Sequence, residues 1–301
     1  MKTKLTSILI MVLFAVQTNA KDSPLKIGIM GQDYDKTKVA LDSGADPNEM
    51  QSSAPAIYWA AIQGRIDVMK LLIEKGAKVD GIGLFGITAL AAVVDDKRTP
   101  EMYVAENNKL NTNMLKRIKE DVLKANGWWR VVDSSVFSTP AERAKVLLDA
   151  GANPNFLLGN MSVKVGTPFL NAVKAEKLEL VKVMLDSKMV DTEYRFDQWV
   201  EGTLKMVNIL DAGKWDNKKA ALDWATIPKS NTPLLFAIEK QNFELVKILV
   251  EGGAYINMGK KVENNNWEFW YPLDVAQNAK NPNKDIIDYL ISKGAENSKI
   301  K

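Results

Sequence analysis

The side chains that could carry out chemistry in this chain are mainly carboxylates, since the sequence contains neither histidine nor cysteine. That composition removes the usual proton shuttle, the Ser-His-Asp and Cys-His arrangements and most zinc sites. Asp95 with Asp96, and Glu176 with Glu179 at helical spacing, could still act as acid and base or hold calcium. Because such pairs are usually solvated surface charges, we predict no catalytic residue, no metal site and no cofactor.

The N-terminal segment has the pattern of a cleavable export signal. Lys2 and Lys4 precede an apolar run from Leu5 to Val16, and Thr18-Asn19-Ala20 supplies small residues before a cut after Ala20. The alternative is a membrane anchor, but about 12 apolar residues fall short of the roughly 20 that span a bilayer. We therefore predict that residues 1–20 are a signal peptide and that the protein is periplasmic or secreted.

The composition of the remaining chain indicates a folded protein without a strong charge bias. Hydrophobic residues make up 46% and charged residues 26% of the 301 residues. Without Lys2 and Lys4 the chain carries 38 basic and 37 acidic residues, so a nucleic-acid partner is not expected. No second long apolar run follows, so we expect no stable membrane insertion after signal cleavage. The lack of cysteine leaves such a fold indifferent to an oxidising compartment.

A short phrase beginning with Gly-Ala returns along the chain and closes a short amphipathic helix each time. Glycine after the last turn is typical of a helix C-cap, and a threonine-proline pair, as at Thr167 and Thr232, is typical of the start of the helix before it. The first two phrases lie 32 residues apart. The phrases are Gly44-Ala45-Asp46-Pro47-Asn48, Gly76-Ala77-Lys78-Val79-Asp80, Gly151-Ala152-Asn153-Pro154-Asn155, Gly253-Ala254-Tyr255-Ile256-Asn257 and Gly294-Ala295-Glu296-Asn297.

These units resemble the ankyrin repeat, whose consensus reads TPLHxAAxxGxxxxVxxLLxxGADxN. The stretch from Pro55 to Asp80, PAIYWAAIQGRIDVMKLLIEKGAKVD, is similar to it over nearly its full length. The resemblance, to an exported bacterial type, implies an all-α solenoid of stacked helix-turn-helix units with hairpin-like fingers and three insertions. It predicts that residues 21–301 form a single domain with units at about 25–48, 53–80, 86–155, 166–191, 231–257 and 271–297.

The chain departs from the family pattern in its insertions and in its missing histidine. We predict an insert at 97–138 inside the third unit, with a capped start at Thr99 and a short strand at 128–132, packed as a side-lobe. The segment 192–230 is either a plain insert or hides a degenerate unit, and 258–270 lengthens a finger. The family's histidine position is occupied by other residues, which leaves the rigidity of the opening turns in question: Tyr58, Ala91, Leu170, Leu235 and Asp274.

Large apolar side chains near the finger tips are the candidate contacts, because the resemblance implies that finger tips and the inner helix hold ligands. Exposed apolar groups that lie together usually mark an interface, and aromatic residues are enriched among binding hot spots. The alternative is that they pack against one another or seal a finger onto its unit, whereas Trp59 is expected in the core. The candidates are Leu84, Phe85, Phe156, Leu157, Leu158, Met161, Trp267, Phe269 and Trp270.

The function that these patterns favour is an exported, non-enzymatic interaction module that binds a periplasmic or extracellular protein partner. The sequence does not identify this partner, and support of a periplasmic enzyme and neutralisation of a toxin fit equally well. Two alternatives stay open: a secreted effector that binds host proteins, and a carbohydrate-binding or hydrolytic protein that uses the tryptophan-rich inserts.

Overall fold

The computed structural model describes residues 22–83, 86–125, 129–156, 167–192, 232–257 and 271–298. The chain divides into two compact units, unit 1 at Met1–Ala152 and unit 2 at Asn153–Lys301. The prediction that residues 21–301 form one domain stays a prediction.

Unit 1 consists of helix pairs, a short β-hairpin and two additional helices within the insert. Its elements in chain order are α1 (Pro24–Met30), α2 (Tyr34–Asp42), β1 (Met50–Gln51), β2 (Ala54–Pro55), α3 (Ala56–Ile62), α4 (Ile66–Glu74), α5 (Ala89–Asp95), α6 (Pro100–Leu115), α7 (Glu120–Ala125), a 3-10 turn (Ser134–Val136) and α8 (Pro140–Asp149).

Unit 2 repeats the helix pair in its described parts. Its elements are α9 (Pro168–Lys174), α10 (Leu178–Asp186), α11 (Pro233–Glu239), α12 (Phe243–Glu251), α13 (Pro272–Gln277) and α14 (Lys284–Ser292). The prediction of an all-α fold built from helix-turn-helix units is confirmed. None of the helices in the described ranges has the length and apolar character needed to cross a membrane.

The helix ends follow the capping signals of the sequence. Threonine hydroxyls accept hydrogen bonds from backbone N–H groups in the first turn of α5, α6, α8, α9 and α11. The phrase glycines end the second helix of each pair with φ between 86° and 98°, a conformation that costs glycine little: Gly44, Gly76, Gly151, Gly253 and Gly294.

Stacking of the helix pairs buries apolar side chains that a single pair would leave exposed to solvent. In unit 1, α3 packs against α4 and α5, and α8 packs against both α4 and α5. In unit 2, α10 packs against α12, and α11 packs against α12 and α13. Ile57, Leu72 and Leu147 of unit 1 and Phe169 of unit 2 are almost fully buried, which contributes about 2 kcal/mol for each side chain. Trp59 is also in the core, as predicted.

The insert at 97–138 packs against the turn between α3 and α4. Tyr103 of α6 is buried, stacks on Phe137 at 5.1 Å between ring centroids, and lies so close to Gly64 that a Cβ there would meet its ring at 2.8 Å. Ser138 donates its backbone N–H to the Gly64 carbonyl at 3.0 Å. The backbone of Gly64 and the ring of Tyr103 thus hold the insert in place.

The prediction of a short strand at 128–132 is wrong for its described part. Residues 129–132 belong to no strand, and side chains bond the backbone of Arg130 and Val131. Asn111 accepts the N–H of Arg130 and donates to the carbonyl of Arg130, both at 2.8 Å, and Asn107 donates to the carbonyl of Val131 at 2.6 Å. The asparagine amides of α6 therefore take the place of a partner strand.

Asparagine side chains tie consecutive phrases together. Asn48 accepts the Lys78 N–H at 2.8 Å and donates to the Gly76 carbonyl at 3.3 Å. Its amide thereby pairs with a carbonyl and an N–H of the next phrase, in the turn that follows α4. The same two bonds join Asn155 to Met189 and Asp191, and Asn257 to Gly294 and Glu296.

We predict that Asn48→Ala lowers the free energy of unfolding by about 1–2 kcal/mol, because it removes two hydrogen bonds and leaves their partners to water. Urea unfolding followed by circular dichroism measures the change. Asn108→Ala on the exposed face of α6 is the matched control and should cost nothing. Equal stability of the two variants would show that the asparagine tie is dispensable.

Candidate binding surface

Two exposed apolar side chains occupy the same position in consecutive fingers of unit 1. Met50 follows Gly44 by six residues and Ile82 follows Gly76 by six residues. Their exposed fractions are 54% and 51%, whereas most apolar residues of α3 and α5, the helices that follow these fingers, are buried. Because equivalent positions of stacked repeats lie side by side, we expect Met50 and Ile82 to lie on one edge, which we call the finger edge.

The first finger is a tight hairpin held on the core by a tryptophan. Met50 pairs with Pro55 and Gln51 with Ala54. Ser52 and Ser53 have φ of 49° and 68°, as a two-residue turn with both central residues left-handed requires. The indole N–H of Trp59 donates to the Gln51 carbonyl, so the strand that carries Met50 is fixed to α3.

The second finger is supported by the residue that replaces the family's histidine. A Cβ at Gly83 would meet the ring of Tyr58 at 2.5 Å, so the finger backbone lies directly on this tyrosine. Burial raises the pKa of Tyr58 to about 12, and the side chain stays neutral. The Gly83 N–H donates to the Ile87 carbonyl at 2.8 Å, which closes the loop next to Ile82.

Most of the candidate contacts lie outside the described residues. Phe156 is described and is half-buried, with its N–H directed at the Asn153 carbonyl at 3.3 Å. The others, whose contact role stays a prediction, are Leu84, Phe85, Leu157, Leu158, Met161, Trp267, Phe269 and Trp270.

Met50 and Ile82 are not among the contacts predicted from the sequence, although a signal for them is present there. Both lie six residues after a phrase glycine, and Leu157 lies six residues after Gly151. Aligning the fingers by this offset, instead of searching for clusters of large side chains, would have selected all three.

Three of the four carboxylates considered for chemistry, Asp96, Glu176 and Glu179, have structural partners. Asp95 is exposed, whereas the side chain of Asp96 is 6% exposed and accepts hydrogen bonds from Arg98, Arg143 and Tyr103. Burial opposes ionisation of Asp96, but the charges of Arg98 and Arg143 and the hydrogen bonds from Arg98 and Tyr103 outweigh it. The pKa of Asp96 is thereby lowered to about 2.

The second pair is also engaged in local structure. Glu176 lies in the turn between α9 and α10 and accepts the Asn242 amide at 2.6 Å, and Glu179 pairs with Lys182 at 3.5 Å. In the described part of the chain, no group of three or more acidic side chains could hold a metal ion.

Arginines of unit 1 donate to carbonyls at the C-terminal ends of α1 and α3, the first helices of their pairs, and in the turns that follow. A cation at this end of a helix also meets the negative end of the helix dipole. Arg143, at 0% exposed, is completely buried. The pairs are Arg130 with Met30, Arg65 with Gln32, Arg143 with Ala61, and Arg98 with Ile62.

The opening turns that lack histidine are held by other groups. Thr88, Thr167 and Thr232 each accept the N–H three residues later, at 3.1–3.3 Å. In the last helix pair, α13 and α14, Asp274 accepts the N–H of Tyr271 and that of Ser298, each at 2.9 Å. These hydrogen bonds lower the pKa of Asp274 against the effect of its burial, and they fold the chain end back onto α13.

Comparison with known proteins gives a family model and two curated relatives that match parts of this chain. A family model described as an ankyrin repeat matches residues 229–258. The putative ankyrin repeat protein FPV240 of fowlpox virus (strain NVSL) is 29% identical over 119 residues, which cover 37% of this chain and 26% of that protein. Human M-phase phosphoprotein 8 is 34% identical over 102 residues, which cover 33% of this chain and 11% of that protein.

A solved structure is similar over a larger share of the chain. The crystal structure of the ankyrin repeat protein EF0377 has a TM-score of 0.42 and 19% identity, and the alignment covers 80% of this chain and 81% of that one. The family model and the fowlpox relative support ankyrin repeats in this chain. The chain spans about a quarter or less of the length of the two curated relatives.

We predict that Asp96→Asn lowers the free energy of unfolding at pH 7 by about 3 kcal/mol, since it leaves the buried guanidinium of Arg143 and the partly buried guanidinium of Arg98 without their carboxylate. The folded-state pKa of Asp96 lies below its ordinary value of 3.8, so its stabilisation is present above that pH and is lost as the pH falls towards 2. This loss amounts to about 2 kcal/mol. Urea unfolding at pH 7, 4 and 3 should therefore show that the native chain and Asp96→Asn differ less in free energy of unfolding as the pH falls. Asp95→Asn is the control and should have the stability of the native chain at each pH. A difference that stays constant with pH would contradict this assignment.

Proposed function

We propose that this chain, whose helix pairs are ankyrin repeats, is an exported module that binds a protein partner through the finger edge. Ankyrin repeats form extended surfaces for protein binding, and the comparisons support such repeats here. The observation that carries the proposal is the exposure of Met50 and Ile82 at equivalent positions of adjacent fingers.

The fixed backbone of the fingers favours binding over a purely structural role. The Trp59 hydrogen bond holds the first finger and the ring of Tyr58 supports the second. A preformed surface loses less conformational entropy on association than a mobile loop. Met50 and Ile82 carry no charge, so the partner should present an apolar patch of its own, with polar groups around its rim.

The export part of the proposal rests on the sequence of residues 1–20. The pattern of basic residues, apolar run and small residues before the cut is that of a secretory signal. Asp22 and Ser23 precede α1, whose N-cap is Ser23, so a cut after Ala20 removes no residue of the first helix or its cap.

We predict that Met50→Ser with Ile82→Ser abolishes capture of the partner in a pull-down from the periplasmic fraction, where the native chain captures one protein in stoichiometric amount. Each exposed apolar side chain lost from an interface core costs about 1–2 kcal/mol of binding, so the pair lowers affinity at least tenfold. The matched control is Val39→Ser with Ile291→Ser, two exposed apolar residues on second helices. If the control variant lost capture to the same extent, the finger edge would not be the binding site.

We predict that the exported protein begins at Lys21, which the intact mass of protein recovered from the periplasmic fraction and the medium measures directly. Ala20→Lys places a long charged side chain where the signal needs a small one, so the precursor should persist. Recovery of native protein that retains residues 1–20 would rule out a cleaved signal. The distribution of mature protein between the two fractions separates a periplasmic protein from a secreted one.

A further inference from the structure

A second exposed surface lies on the insert, at the break between α6 and α7. Leu115 at the end of α6 is 45% exposed and Val122 in α7 is 43% exposed. Lys116, Arg117 and Lys119, all exposed, lie between them in sequence. We call this surface, residues 115–122, the basic turn.

The cations of the basic turn are not neutralised by the fold. Arg117 and Lys119 form no ion pair with any residue that the structure describes, and Lys116 reaches the Asn113 amide oxygen at 3.4 Å. Of the nearby carboxylates, Glu120 is paired with Lys124 at 2.6 Å, and Asp121 offsets one positive charge. Exposed cations in excess of the carboxylates therefore accompany two exposed aliphatic side chains in residues 115–122.

The basic turn is held firmly from both sides. Leu123 is fully buried, and Asn111 is buried with both amide atoms bonded to Arg130. Lys36 of α2 donates to the Lys124 carbonyl at 2.6 Å, which ties the end of α7 to the repeats. The exposed side chains are thus presented by a fixed backbone.

We propose that the basic turn binds the surface of an anionic lipid bilayer. Lysine and arginine gain free energy beside anionic headgroups, and exposed aliphatic side chains gain it by entering the interface below them. A nucleic acid would pair with the cations but leave Leu115 and Val122 in water, so the mixture of charge and apolar surface favours lipid. This is peripheral attachment and involves no membrane-spanning segment.

The test is co-sedimentation of the purified protein with vesicles of phosphatidylglycerol and phosphatidylcholine, compared with phosphatidylcholine alone. The protein begins at Lys21, because the apolar run at Leu5 to Val16 would itself enter lipid. We expect binding to the anionic vesicles that weakens as sodium chloride is raised, and none to the neutral vesicles.

Lys116→Gln with Arg117→Gln and Lys119→Gln should lower the partition coefficient about a hundredfold, and Leu115→Ser with Val122→Ser about tenfold. The matched control removes three exposed cations of unit 2, Lys188→Gln, Lys280→Gln and Lys284→Gln, and should bind as the native chain does. Circular dichroism confirms that each variant is folded.

Three results would overturn the proposal: no binding of the native chain to anionic vesicles, equal loss in the control, or binding to polyglutamate with none to vesicles, which would indicate an acidic protein instead. The variant Met50→Ser with Ile82→Ser should retain vesicle binding. Failure of the lipid proposal is therefore distinguishable from failure of the finger edge.

Discussion

The ion pair between Asp96 and Arg143 joins the two helices of the third repeat, α5 and α8, which the insert at 97–138 separates in sequence. Asp96 is the C-cap of α5 and Arg143 lies in the first turns of α8, so the two helices of the third pair meet through a contact at 2.9 Å between residues 47 positions apart. A buried guanidinium without a carboxylate would cost several kcal/mol, whereas a well-paired one gains little over an apolar side chain. The pair therefore acts less by adding stability than by excluding any other way of docking α8.

The same pair fixes the insert, because Asp96 is shared. Tyr103 of the insert donates to Asp96, and Arg98 bonds both Asp96 and the Ile62 carbonyl. The insert thereby satisfies backbone groups that a repeat without an insert would leave to water. The repeats tolerate an insertion of this length because its polar side chains bond to groups that the repeat helices leave unpaired, and no hydrogen bond within those helices is displaced.

The sequence predicts the parts of this fold that depend on local chemistry. The phrase glycines and the Thr-Pro pairs give the helix ends, because capping requires particular residues within one turn. The strand at 128–132 was predicted wrongly because Val131 and Val132 favour strands, while the groups that bond this segment are amides on α6 about 20 residues earlier. Nothing in the local pattern shows that Asn111 will take the role of a neighbouring strand.

The candidate site was harder to predict than the fold for a related reason. Large side chains such as Phe85 and Trp270 attract attention in a sequence, but size does not distinguish a contact from a buried support. Trp59 and Tyr58 are both large, and both are buried beneath the fingers. Met50 and Ile82 are exposed because the first finger is bonded to Trp59 and the second lies on the ring of Tyr58. In these two fingers, buried aromatic residues support the backbone and smaller aliphatic residues are exposed, so position within the repeat predicts exposure there better than residue size does.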